Sequence, residues 1–283
     1  MPVLGHFARR DIGVIWGADG TTVDGMQTMV PAGPDKIWAQ DSGGDGPVLL
    51  LLHAGVADAR MWDPIWRTLT TSCRAIRYDV RAYHRSPAAT ENYTLLADAL
   101  AVLDHFGVAA AHLVGCSMGG GTAIELALAQ PDRVQSLVLL RPGIPGYSYP
   151  EDPAVEARFD EAAAAGDTEG LVRLGLEQWG RSGDDPQVTE LMRTAMRAWE
   201  NEEQFQQRGA PVYDRLGDLR VAVALLIGDR DNPGLIASNE AAAERISGCE
   251  LIRMPDVDHY PTMRAPDLVT EAILRRVSPS PDE

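Results

Sequence analysis

Two kinds of hydrophobic pattern alternate along the chain. Short continuous apolar runs occupy residues 48–52, 75–78, 113–115, 134–140 and 221–227. Runs of this length suit strands buried on both faces of a parallel sheet. Between them lie stretches with helical character, over 63–69, 94–106 and 118–130, the last ended by Pro131, which cannot continue a helix. A final strand is expected at 250–253 and a closing helix at 267–276, with 278–283 as a frayed tail. Strands alternating with helices imply an α/β fold on a mostly parallel sheet.

The pattern weakens in two places. Residues 1–35 are rich in Gly and Thr and read as an N-terminal extension with edge strands near 12–16 and 26–30; a further strand is expected at 36–40. From Pro142-Gly143-Ile144-Pro145-Gly146 onward the strand rhythm stops, and helical spacing takes over, as in Leu191, Ala195, Trp199 and in Met192, Met196. Residues 145–215 are therefore expected to form an inserted helical cap. The core is then built from 36–144 and 216–283. No internal repeat is evident.

The chemistry gathers at three turns. Gly115-Cys116-Ser117-Met118-Gly119 matches G-x-S-x-G, with an apolar run before it and a helix-like run after it. A strand–turn–helix of this tightness crowds its neighbours, hence the flanking glycines, and lifts the serine hydroxyl toward a helix N-terminus, where anionic charge is favoured. A serine hydroxyl needs a base, and the base an orienting partner. Of six histidines, His259 follows the last strand, in Val257-Asp258-His259-Tyr260-Pro261. The acid is expected after the preceding strand, where Gly228-Asp229-Arg230-Asp231-Asn232 offers two carboxylates. A position a few residues past the glycine favours Asp231 and leaves Asp229 as a solvated turn residue.

On these motifs, together with His53-Ala54-Gly55 after the 48–52 run, the chain resembles the α/β-hydrolase fold superfamily over residues 35 to 277. The resemblance is to small bacterial esterase, lactonase and non-metal haloperoxidase-like members with a helical cap. It implies about eight strands, with helices on both faces. It also implies an oxyanion hole from the backbone N–H groups of Gly55 and Met118, and a loop-ordering role for His53. Three departures stand out. Ala54 replaces a glycine. In Asp79-Val80-Arg81-Ala82-Tyr83-His84-Arg85-Ser86, which resembles D-x-R-G-x-G-x-S, Ala82 and His84 replace both glycines and are strained if φ is positive there. Arg264 stands where an acidic residue is common. Substrate contacts are expected among Trp62, His84, Arg141, Trp179, Met192, Met196 and Trp199. For Arg141, at a strand's C-terminal end, the choice lies between clamping a substrate carboxylate or carbonyl and pairing with a cap acid such as Glu151 or Asp152. Cys116 is expected to pack in the core.

Composition narrows the class. The 283 residues are 45% hydrophobic, enough for one large core, and carry a net charge of −16, which repels phosphate backbones. Three cysteines without paired spacing argue against a disulfide framework or a zinc site. No secretory signal is evident, and the longest apolar run is too short to span a bilayer; both fit a cytoplasmic location. The expected partner is a small molecule with an apolar portion, without nucleic acid, membrane, metal or cofactor; a homodimer stays open. The expected activity is cofactor-independent cleavage of a carboxylic ester or lactone through an acyl-enzyme on Ser117, His259 and Asp231. Carbon–carbon hydrolysis and perhydrolysis use the same three residues, and a non-hydrolytic or ligand-binding member of the fold is the remaining alternative.

Overall fold

The computed structural model describes residues 25–149 and 152–277; the strand expected at 12–16, the 278–283 tail and Glu151 lie outside them. Eight strands form one sheet: β1 (Met26–Ala32), β2 (Asp35–Asp41), β3 (Val48–Leu52), β4 (Arg74–Tyr78), β5 (Ala111–Cys116), β6 (Val134–Leu140), β7 (Ala222–Gly228) and β8 (Glu250–Met254). Their order is β1-β2-β4-β3-β5-β6-β7-β8. β1 and β2 form an antiparallel hairpin and β2 joins β4 antiparallel; every other pairing is parallel. The central strands are buried along nearly their whole length, as their unbroken apolar runs require.

From β3 the chain passes to β4 on one side, then returns to β5 on the other. The C-terminal ends of β3 and β5 therefore flank a topological switch point, where a crevice opens above an α/β sheet. Helices α1 (Asp63–Leu69), α2 (Leu95–His105) and α3 (Met118–Ala129) alternate with these strands. α2 starts at Thr94, whose hydroxyl accepts from the Ala97 N–H.

Between β6 and β7 lie α4 (Pro153–Ala164), α5 (Thr168–Trp179) and α6 (Pro186–Phe205). α4 and α6 begin with an aspartate cap followed by proline, a start that supplies an acceptor and a preset φ. α5 and α6 pack closely at Gly175, where a Cβ would lie 2.5 Å from Met192 Sδ. This helical layer is tied to the core at separated points. Asn201 exchanges hydrogen bonds with the Ala89 backbone at 2.8 and 3.1 Å, and Arg60 Nη2 donates to Thr194 Oγ1 at 2.8 Å. Then follow α7 (Pro233–Arg245), α8 (Pro261–Arg264) and α9 (Pro266–Val277). No described helix is long and apolar enough to cross a membrane.

The turn after β4 carries the expected strain: φ is +68° at Ala82 and +38° at His84. Neighbouring hydrogen bonds hold it in place. Asp79 accepts from the Ala59 N–H at 2.8 Å and from Arg85 Nε at 3.0 Å, while Ser86 Oγ donates to the Asp79 carbonyl at 2.6 Å and accepts from the Trp38 N–H at 2.8 Å.

Candidate active site

Ser117 sits between the end of β5 and the first residue of α3 with φ +49° and ψ −111°, a conformation that only an over-determined turn sustains. Its N–H donates to the Leu140 carbonyl at 3.1 Å, and its own carbonyl accepts from Gly121 and Gly143. The flanking glycines are sterically required: a Cβ on Gly119 would overlap the Leu52 carbonyl, and one on Gly115 would overlap the Gly119 carbonyl. The turn leaves Ser117 half-buried at the crevice, with no hydrogen bond from its hydroxyl to another described residue.

His259 and Asp231 come from the loops after β8 and β7. His259 Nδ1 lies 3.0 Å from each Asp231 oxygen, with both side chains about 1% exposed. Asp231 Oδ1 also accepts from the Asn232 N–H at 2.8 Å. Asp229 is exposed and accepts from the Asp256 N–H at 2.7 Å, so Asp231 is the carboxylate that meets the imidazole. Burial raises the Asp231 carboxyl, but His259 and Arg141 outweigh it and hold the group well below the usual carboxylate range. Burial, and then Arg141, push His259 below its ordinary value against the pull of Asp231 and Asp258.

The loop after β3 faces the elbow. A Cβ on Gly55 would stand 3.5 Å from Met118 Sδ, and neither the Gly55 nor the Met118 N–H donates to an acceptor among the described residues. Two neighbouring free amides at a helix N-terminus can receive a developing negative charge. His53 braces this loop: Nδ1 donates to the Ala54 carbonyl at 2.8 Å, so Nε2 is the acceptor for the Val80 N–H at 2.9 Å. The Gly55 carbonyl is within reach of Trp199 Nε1–H at 2.9 Å and the Tyr83 hydroxyl at 3.0 Å, and Tyr83 in turn meets Glu202 Oε2 at 2.6 Å. α6 thus grips the loop directly through Trp199 and indirectly through Glu202.

Of the expected substrate contacts, Trp179 and Trp199 stand at the crevice. The Trp179 ring centroid is 6.3 Å from that of His259, and its carbonyl accepts the His259 N–H at 3.1 Å. Trp179 and Trp199 meet edge to face at 5.9 Å, and Phe159 of α4, which sequence reasoning missed, lies 6.0 Å from each. A cavity of about 430 Å³ opens beside the elbow, lined by Met118, Gly143, Ile144, Tyr147 and Gln206 among others.

The structure places the other expected contacts away from the Trp179–Trp199 pair or inside the packed interior. Trp62 and Met192 are fully buried and Met196 is 4% exposed; these belong to the interior of core and cap because each completes apolar packing. His84 is an exposed turn residue. Arg141 is 1% exposed and meets no cap acid among the described residues; Asp152 instead caps α4. Its guanidinium bonds Asp231 Oδ2, the His259 carbonyl and Cys116 Sγ, the last at 3.3 Å. Cys116 is buried in the core. Arg264, at the position where an acid is common, pairs with buried Asp258 at 3.1 Å and with Asp185 at 3.4 Å.

Residues 47–266 match the family model described as the alpha/beta hydrolase fold. The chain belongs to the alpha/beta hydrolase family. Curated relatives and solved structures of the same fold are similar to it. A carbamate hydrolase candidate, RutD of Caulobacter vibrioides, is 33% identical over 144 residues, 49% of this chain and 48% of its own. The chain thus aligns with about half the length of the first of these relatives. The carboxylesterase YbfK of Bacillus subtilis is 25% identical over 247 residues, 81% of this chain and 80% of its own, and its crystal structure superposes with a TM-score of 0.75 at 22% identity, covering 90% of this chain and 92% of that one. The enol-lactonase of Burkholderia xenovorans LB400 superposes with a TM-score of 0.73 at 21% identity over 88% of this chain and 98% of that chain.

Proposed function

We propose that this hydrolase cleaves a carboxylic ester or lactone through a covalent acyl-enzyme, without metal or cofactor. The observation that carries the reading is the convergence of the strained Ser117 elbow, the paired His259–Asp231 and the free Gly55 and Met118 amides on one crevice. Ser117 Oγ attacks the carbonyl carbon while His259 Nε2 takes its proton. Asp231 holds Nδ1–H and stabilises the imidazolium. The two amides bind the tetrahedral oxyanion, each contributing about 2.7–4 kcal/mol. Collapse breaks the ester C–O bond, and His259 protonates the leaving oxygen. Water, deprotonated by His259, then attacks the acyl-enzyme and frees the acid and Ser117. The Phe159–Trp179–Trp199 cluster supports an apolar acyl or ring portion in the substrate.

The test is a panel of p-nitrophenyl esters and lactones, with fluorophosphonate labelling located by peptide mass spectrometry. Label is expected on Ser117, and Ser117→Ala should lose about 10⁶ in kcat if the three residues act as a unit. Retention of more than about a tenth of the activity by Ser117→Ala, far above that loss, would rule out Ser117 as the nucleophile. Absence of label on the wild type would instead favour a non-hydrolytic or ligand-binding member.

A further inference from the structure

The guanidinium behind the acid carries an inference that rests on the Ser117–His259–Asp231 reading. Arg141 directly follows β6 with φ +45°, and its N–H donates to the Leu226 carbonyl of β7 at 2.9 Å. The side chain is thereby turned into the space beneath the crevice. It touches three chain segments at once: the Asp231 carboxylate after β7, the His259 carbonyl after β8, and Cys116 at the end of β5. Its Nε is buried without a partner, so part of its hydrogen-bonding capacity is given up to hold this place. Such a site for an arginine is costly unless its charge is matched, and the matching charge is Asp231 itself.

We propose that Arg141 is a positioning residue of the hydrolytic machinery, joining the acid loop to the base loop and, by its charge, keeping the His259 imidazole unprotonated into mildly acidic solution. Charge counting gives the reason. With Asp231 ionised and Arg141 protonated the buried cluster is neutral, so a proton on His259 would leave it with a net positive charge in a dry place. Without Arg141, the same proton would complete a neutral Asp231–His259 ion pair. The other groups facing the imidazole do not cancel this effect. Asp258 is paired by Arg264, Cys116 is a buried thiol held neutral, Trp179 and Tyr260 carry no charge, and Arg181 reaches only the Asp231 carbonyl at 3.3 Å.

The test is the pH dependence of fluorophosphonate labelling of Ser117, measured as a second-order rate from about pH 4.5 to 9, a range chosen to bracket the ordinary histidine value. Wild type, Arg141→Met and Arg141→Lys are compared. The wild-type rate is expected to fall only below the ordinary histidine range near 6.5. In Arg141→Met the acid limb should move upward by about one pH unit or more, so labelling near pH 5.5 drops further than labelling at pH 9. Arg141→Lys keeps the charge without the fork; its acid limb should stay near that of the wild type while the plateau falls. A uniform loss at all pH values, with coincident acid limbs, would make Arg141 merely structural and overturn the proposal. No labelling of the wild type at any pH would fail the hydrolase reading instead. Should Arg141→Met not fold, the wild-type His259 imidazole is followed by NMR with ring-labelled histidine, assigned through His259→Gln. Titration at or above 6.5 would overturn the proposal, and titration below it, with Arg141→Lys keeping the wild-type acid limb, would support it.

Discussion

Asp229 and Asp231 are two residues apart, chemically identical and both at the end of β7, yet one is exposed and the other is closed off against His259. Burial makes the carboxylate orient the imidazole, since only there do its charge and lone pairs act without competition from water. Asp231→Asn should lower kcat by about 10⁴ by leaving His259 in the wrong tautomer. Asp229→Asn should leave kcat within about twofold, the ordinary result for a surface change. Steady-state kinetics on one activated ester compares the two, and equal losses would mean that the Asp231 contact is not the one used in turnover.

At the scale of elements, α6 reaches across from the cap and holds the loop after β3. Trp199 supplies ring area to the aromatic cluster and a hydrogen bond to the Gly55 carbonyl. Trp199→Phe keeps most of the ring and removes the donor, so the carbonyl loses one of its two neighbours and the Gly55 N–H, the proposed oxyanion donor, loosens. A buried acceptor left short costs about 1–3 kcal/mol. The expected outcome is a fall in kcat of about tenfold, worth 1.4 kcal/mol, with a smaller change in KM. The reverse split, a raised KM at unchanged kcat, would make Trp199 a substrate contact without a role in holding the loop.

Over the whole molecule, the hairpin β1–β2 is joined to the parallel sheet by a side chain as well as by strand pairing. Arg81 pairs with Asp98 of α2 and Asp35 of β2 at 2.7 Å each, donates to the Ala32 carbonyl at 2.9 Å and stacks over the Tyr93 ring at 4.6 Å. Removing one partner strands buried charge, which costs about 3–5 kcal/mol. Arg81→Met should therefore lower the urea midpoint by that equivalent while the aromatic cluster and the His259–Asp231 pair persist in the folded fraction. A loss under about 1 kcal/mol, as for a surface pair, would show that water reaches these carboxylates after all.

Much of this architecture was legible because it is local. Apolar runs of strand length, a serine between glycines, and a histidine after the last strand depend on neighbours within a few residues, and β3 to β8 and α1 to α3 are found where the pattern predicts them. The paired start Asn232-Pro233 was equally local, yet α7 went unread because its apolar face is too weak to show a period. Positive φ at Ala82 and His84 was anticipated from a motif, although the bonds through Asp79 and Ser86 that hold it come from distant segments. Arg141 marks the limit. Its sequence position at the end of β6 said that it faced the site end of the sheet, but whether it met a substrate, a cap acid or Asp231 depended on how three loops close over it. The same holds for Trp199 on Gly55 and Phe159 beside Trp179. The chain by itself determined most of the strands and the first three helices and brought Ser117, Asp231 and His259 forward as candidates, because backbone propensity and short-range sterics act within a turn or two. Only the tertiary structure decided which of those residues touch, because burial and charge pairing depend on segments that the sequence keeps far apart.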